Sequence, residues 1–239
     1  MMVALTVVIP AHDSGGRLRD ALRTLAQELE GTDLEVVIVE NGSRDDTWQE
    51  ARRLAAEGFP FPVVACQSAT GIGAAYHEGA LRATGRMVLL TADDLPFGVS
   101  DIQAWQDVGA PDGMTLGSKA HPASLVPRGL ARELMSGGFR LLRWLILGMR
   151  VKDCQGTVLV ERDWLVGQVP GLCEQGYLAS TEIVQAALRD GVVVREVPVK
   201  LAEHDEDSRT RIRPRDVIDM GLGLFRIRRA DRLRRRASV

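Results

Sequence analysis

The chain of 239 residues is 45% hydrophobic and 26% charged, with a formal net charge of −2. This composition gives room for a sizeable core in one domain and excludes a disordered or repetitive chain. Three cysteines, Cys66, Cys154 and Cys173, sit at spacings that fit no zinc or redox motif and read as reduced thiols of a cytosolic protein.

From the N-terminus, Ala4 to Ile9 is an apolar run of strand length. No basic leader precedes it and it ends at Pro10, so it predicts a buried strand rather than a signal peptide. The loop Pro10-Ala11-His12-Asp13-Ser14 follows. Leu18, Ala21, Leu22, Leu25 and Leu29 then recur at helical spacing, which predicts a helix over 17–30. A second buried strand, 34–39, ends in Glu40-Asn41-Gly42-Ser43, and Asp45 or Asp46 can cap a helix over 47–56. A third strand is predicted over 63–66.

The stretch from Gly71 to Pro96 is the most informative. A turn with Gly71 and Gly73 opens a helix over 74–83, closed by Gly85, and the strand Met87 to Leu90 delivers Asp93 and Asp94 at its carboxyl end. Strands alternating with helices at this spacing predict an α/β fold with a parallel sheet, whose ligands sit just beyond the carboxyl ends of strands. Two carboxylates there suit a divalent cation that bridges a diphosphate. Equally, they suit a turn before Pro96. The glycines make no dinucleotide fingerprint, since Tyr76 stands where the third glycine belongs, and no Gly-Lys-Ser/Thr marks a phosphate loop.

Beyond Pro96 regularity returns at Thr115-Leu116-Gly117-Ser118-Lys119. A helical segment over 129–148 puts Leu141, Leu142, Leu145, Ile146 and Met149 on one stripe beside Arg140 and Arg143. Such a stripe faces a core, or lies at a membrane interface with arginines flanking it. The run 141–149 is too short to span a bilayer. Val151-Lys152-Asp153-Cys154-Gln155 precedes a strand over 157–160, and Glu182 lies on a helix stopped by Gly191. Val192 to Val199 is a last strand, Glu203 to Asp207 an acidic loop, and one or two basic helices follow over 215–236.

Charge is unevenly spread. Residues 209–239 hold eleven arginines against three aspartates, a net of +8, so residues 1–208 carry −10. A basic end on an acidic body predicts an anionic partner such as a phospholipid surface. Nucleic acid fits poorly, because Phe225 is the one aromatic of that end and no binding motif accompanies it.

Gly-x-Gly-x-Ala-Tyr-x-x-Gly over 71–79, then Ala83-Thr84-Gly85 and the acidic strand end, resembles the dolichol-phosphate mannose synthases. With the polyprenyl-phosphate glucosyltransferases these belong to the inverting family 2 glycosyltransferases. The resemblance implies a GT-A fold, a mostly parallel central sheet with helices on both faces. It implies a catalytic domain over 1–208, then a basic helical tail over 209–239. The implied activity is transfer of a hexose from a UDP- or GDP-linked sugar to a polyprenyl phosphate, in a cytoplasmic protein peripheral at the inner membrane face.

Carried over residue by residue, the resemblance places Pro10, Asp13 and Asn41 at the nucleoside and Gly71 and Gly73 at the donor. It gives Asp94, with Asp93, to Mg2+ or Mn2+. Lys119, Arg132 and Arg209 serve phosphate, Ser136 completes Arg-x-x-x-Ser, and Asp153 and Gln155 lie by the sugar. Ala92 replaces the first acid of the Asp-Ala-Asp motif, Ser14 a glutamate, Lys119 an arginine, and Gly137 the next arginine after Arg132. Two alternatives stay open: a soluble hydroxyl acceptor, with Asp153 or Glu182 as base, or a non-catalytic nucleotide-sugar binder.

Overall fold

The computed structural model describes residues 4–126, 130–202 and 214–237. Its strands are β1 (Leu5–Ala11), β2 (Leu34–Glu40), β3 (Val63–Gln67), β4 (Met87–Leu90), β5 (Met114–Ser118), β6 (Thr157–Glu161) and β7 (Val194–Pro198). The helices are α1 (Gly15–Glu28), α2 (Thr47–Ala56), α3 (Ile72–Arg82), α4 (Ser100–Asp107), α5 (Leu130–Leu147), α6 (Arg162–Gln168), α7 (Ala179–Arg189) and α8 (Pro214–Ala237).

One seven-stranded sheet runs in the order β3-β2-β1-β4-β6-β5-β7. All neighbours are parallel except β6, which is antiparallel to both β4 and β5. β1, β2 and β4 are buried along their whole length, which is why they read as continuous apolar runs rather than alternating ones. Alternation within them decides the layers. Val7, Ile9, Ile38 and Leu89 pack with Leu18, Leu22 and Leu25 of α1 and Leu54 of α2. Val8, Val37 and Leu90 pack with Ala75 and Tyr76 of α3 and Ile183 of α7.

Glu35 interrupts the apolar run of β2, and its carboxylate is the anchor of the Ala-Thr-Gly motif. It accepts from Thr6 Oγ1, from the Thr84 backbone N–H and from Thr84 Oγ1, while Gly85 N donates to Thr6 Oγ1 at 2.9 Å. A Cβ at Gly85 would fall 2.7 Å from Thr6 N, so only glycine lets the turn before β4 close on β1. Burying a carboxylate is costly unless its hydrogen bonds are met, and here both oxygens are used.

Some elements differ from the sequence expectation. Pro10 is the sixth residue of β1, opposite Val39, and not in the loop. α4 lies where no regular pattern was expected; it is two turns long and buries Asp101, Ile102 and Trp105. The basic end, 214–237, is one helix.

Candidate active site

Because β1, β2, β4, β5 and β7 are parallel, their carboxyl ends share one edge of the sheet, and the antiparallel β6 begins there. Of the sequence-predicted residues, Asp13, Asn41, Asp93, Asp94, Lys119, Asp153 and Gln155 gather along this edge in three groups.

The first group joins the loops after β1 and β2. Asn41 N donates to Ala11 O at 3.0 Å, and Asp13 accepts from Arg44 N at 2.7 Å while its own N–H donates to Ser43 Oγ. Asp13 takes φ of 50°, a conformation aspartate tolerates better than most residues. Glu40 organises the turn: one oxygen accepts from Gly42 N and Ser43 N, the other from Gln67 Nε2. Burial alone would raise the Glu40 carboxyl, but the bonds from Gln67, Ser43 and Gly42 outweigh it and hold it below the usual carboxylate range. Asn41 is 4% exposed, and its Oδ1 and the nearby Ser14 Oγ are buried with no hydrogen-bond partner among the described residues. An unmet buried acceptor costs about 1–3 kcal/mol, so both atoms call for a polar partner, a water or a ligand group.

The second group is the end of β4. Tyr76 of α3 donates to Thr91 O at 3.0 Å. Burial drives its phenol far above the ordinary range, and the charges of Asp93 and Asp94 add to the rise. Asp93 Oδ2 is 2.6 Å from Arg17 Nη2, at the start of α1. Leu95, at φ 43°, turns the chain away after the two acids.

The third group ties β5, β6 and β7. Asp153 accepts from Lys119 N at 2.9 Å and from Gln155 N at 3.0 Å, and Lys119 Nζ reaches Gln155 O at 3.4 Å. Lys119 Nζ also lies 5.9 Å from the ring centre of Phe97, in the turn after Asp94, which brings this group to the end of β4. Under them Glu196 of β7 accepts from Ser118 Oγ at 2.8 Å, Asp153 N at 3.0 Å and Lys152 N at 3.3 Å. Gly156 passes so close to Gly117 that a Cβ on it would overlap Gly117 O.

Gly71 and Gly73 have a packing reason of their own. Gly73 N donates to Gln175 O at 2.8 Å, and a Cβ at either glycine would collide with the backbone at Gln175 or Glu174. That loop is held in turn by Glu182, 2% exposed, which accepts from Cys173 N and Glu174 N. Burial and the Glu182 carboxylate push the Cys173 thiol up to about 12.

α5 and α8 correct part of the stripe reading. Ile146 and Met149 are buried, while Leu141, Leu142 and Leu145 are exposed. Arg143 does not flank the stripe: it is 2% exposed and donates to Val151 O and Lys152 O at 3.2 Å each, fixing the approach to Asp153. α8 packs by Leu224 and Ile227 against Ile146 and Leu178. Its Arg226 pairs with Glu174 at 2.8 Å, and its Asp231 with Arg189 at 3.1 Å. Ser136 is exposed on α5. Arg132 lies on the same helix, with its side chain outside the described residues, as is all of Arg209 and the acidic loop before it.

Among the described residues no all-protein cage for a divalent ion forms, and the strand end suits an ion shared between Asp94 and a donor diphosphate. Ala92 offers a methyl group, Asp93 is engaged by Arg17, and no three His, Cys, Asp or Glu side chains converge among the described residues. A separate cavity of about 420 Å3, lined by Asp112, Glu161, Trp164 and Arg195 among others, contains none of the residues discussed here.

Sequence reasoning missed Glu40, Glu196 and Arg17. The first two carried a faint signal, an acid at the end of, or inside, a buried strand. Arg17 carried none.

Residues 6–103 match the model of glycosyl transferase family 2. A dolichyl-phosphate beta-glucosyltransferase of Saccharomyces cerevisiae is 28% identical over 254 residues, 95% of this chain and 75% of that protein. A dolichol-phosphate mannosyltransferase of Pyrococcus furiosus is 26% identical over 91 residues, 38% of this chain and 26% of that protein. Among solved structures, glucosyl-3-phosphoglycerate synthase of Mycobacterium tuberculosis with Mn2+, UDP-glucose and phosphoglyceric acid superposes with a TM-score of 0.63. It is 18% identical, over 94% of this chain and 79% of its own. With the strand-end site, these matches show residues 6–103 to be similar to family 2 glycosyltransferases and the chain to share the GT-A fold.

Proposed function

We propose that this enzyme moves a hexose from a UDP- or GDP-linked sugar to a polyprenyl monophosphate, with inversion. The observation that carries the acceptor is a groove of about 490 Å3 between α5 and the loop after it. Its walls include apolar Leu141, Trp144 and Met149 and cationic Arg140, Arg150 and Lys152, and it ends one residue before Asp153. A prenyl chain suits the apolar wall and its phosphate suits the cations.

In the proposed step a phosphate oxygen of the acceptor attacks the anomeric carbon. The bond from that carbon to the donor diphosphate breaks, and its electron pair leaves with the diphosphate. A phosphate monoester has a second pKa of about 6, so the nucleophile is ionised near neutral pH and no base has to take a proton. This agrees with the two carboxylates that could have served a hydroxyl acceptor. Both oxygens of Asp153 and of Glu182 already accept backbone N–H groups, the Cys173 N–H being shared between the two Glu182 oxygens. Charge on the departing diphosphate falls to cationic side chains, Lys119 with Arg132 and Arg209.

Attachment to an anionic membrane belongs to the same proposal. No described helix is long and apolar enough to cross a bilayer. Leu141, Trp144 and Leu145 are nonetheless exposed on α5, and Arg229 and Arg232 are exposed on α8. The test supplies UDP-glucose or GDP-mannose with a short polyprenyl phosphate in anionic vesicles, or with soluble hydroxyl acceptors, and reads products by mass. A lipid-linked hexose is expected. Hexose on the soluble compound alone would shift the proposal to a soluble-acceptor transferase, and donor binding without product would make the chain a binder.

A further inference from the structure

We propose that Arg17 is the residue that receives the donor diphosphate at the end of β4, and that Asp93 holds it there until the donor arrives. The inference rests on the nucleotide-sugar reading above. Its observation is the 2.6 Å pair between Arg17 Nη2 and Asp93 Oδ2, which takes the acid nearest in sequence to the missing one at Ala92.

Two carboxylates at a strand end repel a diphosphate unless a cation stands between. Arg17, on the first turn of α1, whose start adjoins the Asp13 and Ser14 loop, supplies such a cation at Asp93. The side chains are 37% and 17% exposed, so the pair is open to exchange, and pairs of that kind are weakly held. A guanidinium has five donors in a planar fork, matched to phosphate as well as to carboxylate, and can turn from one to the other while keeping its place. A purely structural tie between α1 and β4 is the competing account, and the two accounts differ in sign. For a tie, losing either partner harms the site alike. For a parked phosphate ligand, losing Arg17 removes the contact, while losing the Asp93 charge frees Arg17 and removes a repulsion.

The test is calorimetric titration of UDP, uridine, GDP and guanosine into the full chain, in chelator, for wild type, Arg17→Gln, Arg17→Lys and Asp93→Asn. For whichever nucleoside diphosphate binds, Arg17→Gln should weaken it by about tenfold, the size of one charge-assisted contact, and leave the nucleoside unchanged. Arg17→Lys should recover part of the loss, and Asp93→Asn should bind the diphosphate more tightly than wild type. Equal losses for nucleoside and diphosphate, or weakening in Asp93→Asn, overturn the proposal in favour of a structural tie. A wild type that binds the diphosphate only after Mn2+ is added also overturns it and leaves the transferase reading standing. Binding of neither nucleotide with or without Mn2+ removes both.

Discussion

Glu196 is the point at which the site can be loosened without touching a substrate group. Its three bonds hold the end of β5 and the loop carrying Asp153 against β7. In Glu196→Gln the amide oxygen can keep the bonds from Ser118 Oγ and Asp153 N, but the amide nitrogen then faces Lys152 N, donor against donor. Hydrogen bonds to a charged group contribute about 1.5–3 kcal/mol each, and partial exposure of Glu196 reduces this. The loss of charge assistance and of one bond should cost about 1–2 kcal/mol. Glu196→Ala, which loses all three, should cost about 2–4 kcal/mol. For a chain of this length each kcal/mol moves the melting temperature by about 2–4 °C. The functional effect should be larger, because a shift of about 1 Å in positioned groups can lower turnover about a hundredfold. Urea unfolding followed by tryptophan fluorescence gives the first number and kcat/KM with a nucleotide sugar the second. Nucleoside affinity should stay near wild type, since Asp13 and Asn41 lie in the loops after β1 and β2, away from β7. An alanine variant with wild-type unfolding midpoint and wild-type kcat/KM would refute the positioning argument.

Gly73→Ala should cost about 3 kcal/mol, the upper end for overpacking, because the added Cβ meets backbone at Glu174 and Gln175 that the buried Glu182 holds in place; normal expression and an unchanged unfolding midpoint would contradict it. Asn41→Ala should leave stability within about 1 kcal/mol, since its Oδ1 makes no bond in the free protein, yet weaken nucleoside binding about tenfold; a large stability loss with unchanged nucleoside affinity would show that Asn41 serves the loop instead. Burial lowers the His77 imidazole below its ordinary range, with Glu182 opposing. The neutral form is then the folded one, so its contribution is complete above the unfolded value of about 6.5 and is lost as pH falls below that value toward the lowered folded one. The urea midpoint should therefore drop between pH 7.5 and 5.5 and the drop should flatten in His77→Gln; an equal slope in both proteins would remove His77 from the account.

The sheet was legible because its strands are apolar runs punctuated by Asn41-Gly42 and Gly85, and the carboxyl-end rule for parallel sheets gathers Asp13, Asn41, Asp94, Lys119 and Asp153 without any contact being known. What stayed hidden was of two kinds. α4 is short and largely polar outside Ile102 and Trp105, too brief for helical periodicity to stand out. The other kind is contact between residues far apart in sequence: Arg17 with Asp93, Lys119 with Asp153, Glu196 with Asp153. Arg143 shows the limit most plainly. An arginine beside a leucine stripe reads as a surface charge, and here it is buried because two backbone carbonyls and the sulfur-rich corner at Met149 and Cys154 receive it.

In the proposed transfer the acceptor's phosphate oxygen is the nucleophile, and that role can be read from phosphorus. It is tested most directly by phosphorus NMR of a short polyprenyl phosphate incubated with the enzyme and UDP-glucose or GDP-mannose. The monoester signal should be replaced by that of a phosphodiester as nucleoside diphosphate accumulates, with the hexose linked in the configuration opposite to the donor's. Release of nucleoside diphosphate with the monoester signal unchanged, and hexose recovered on a hydroxyl group, would contradict it.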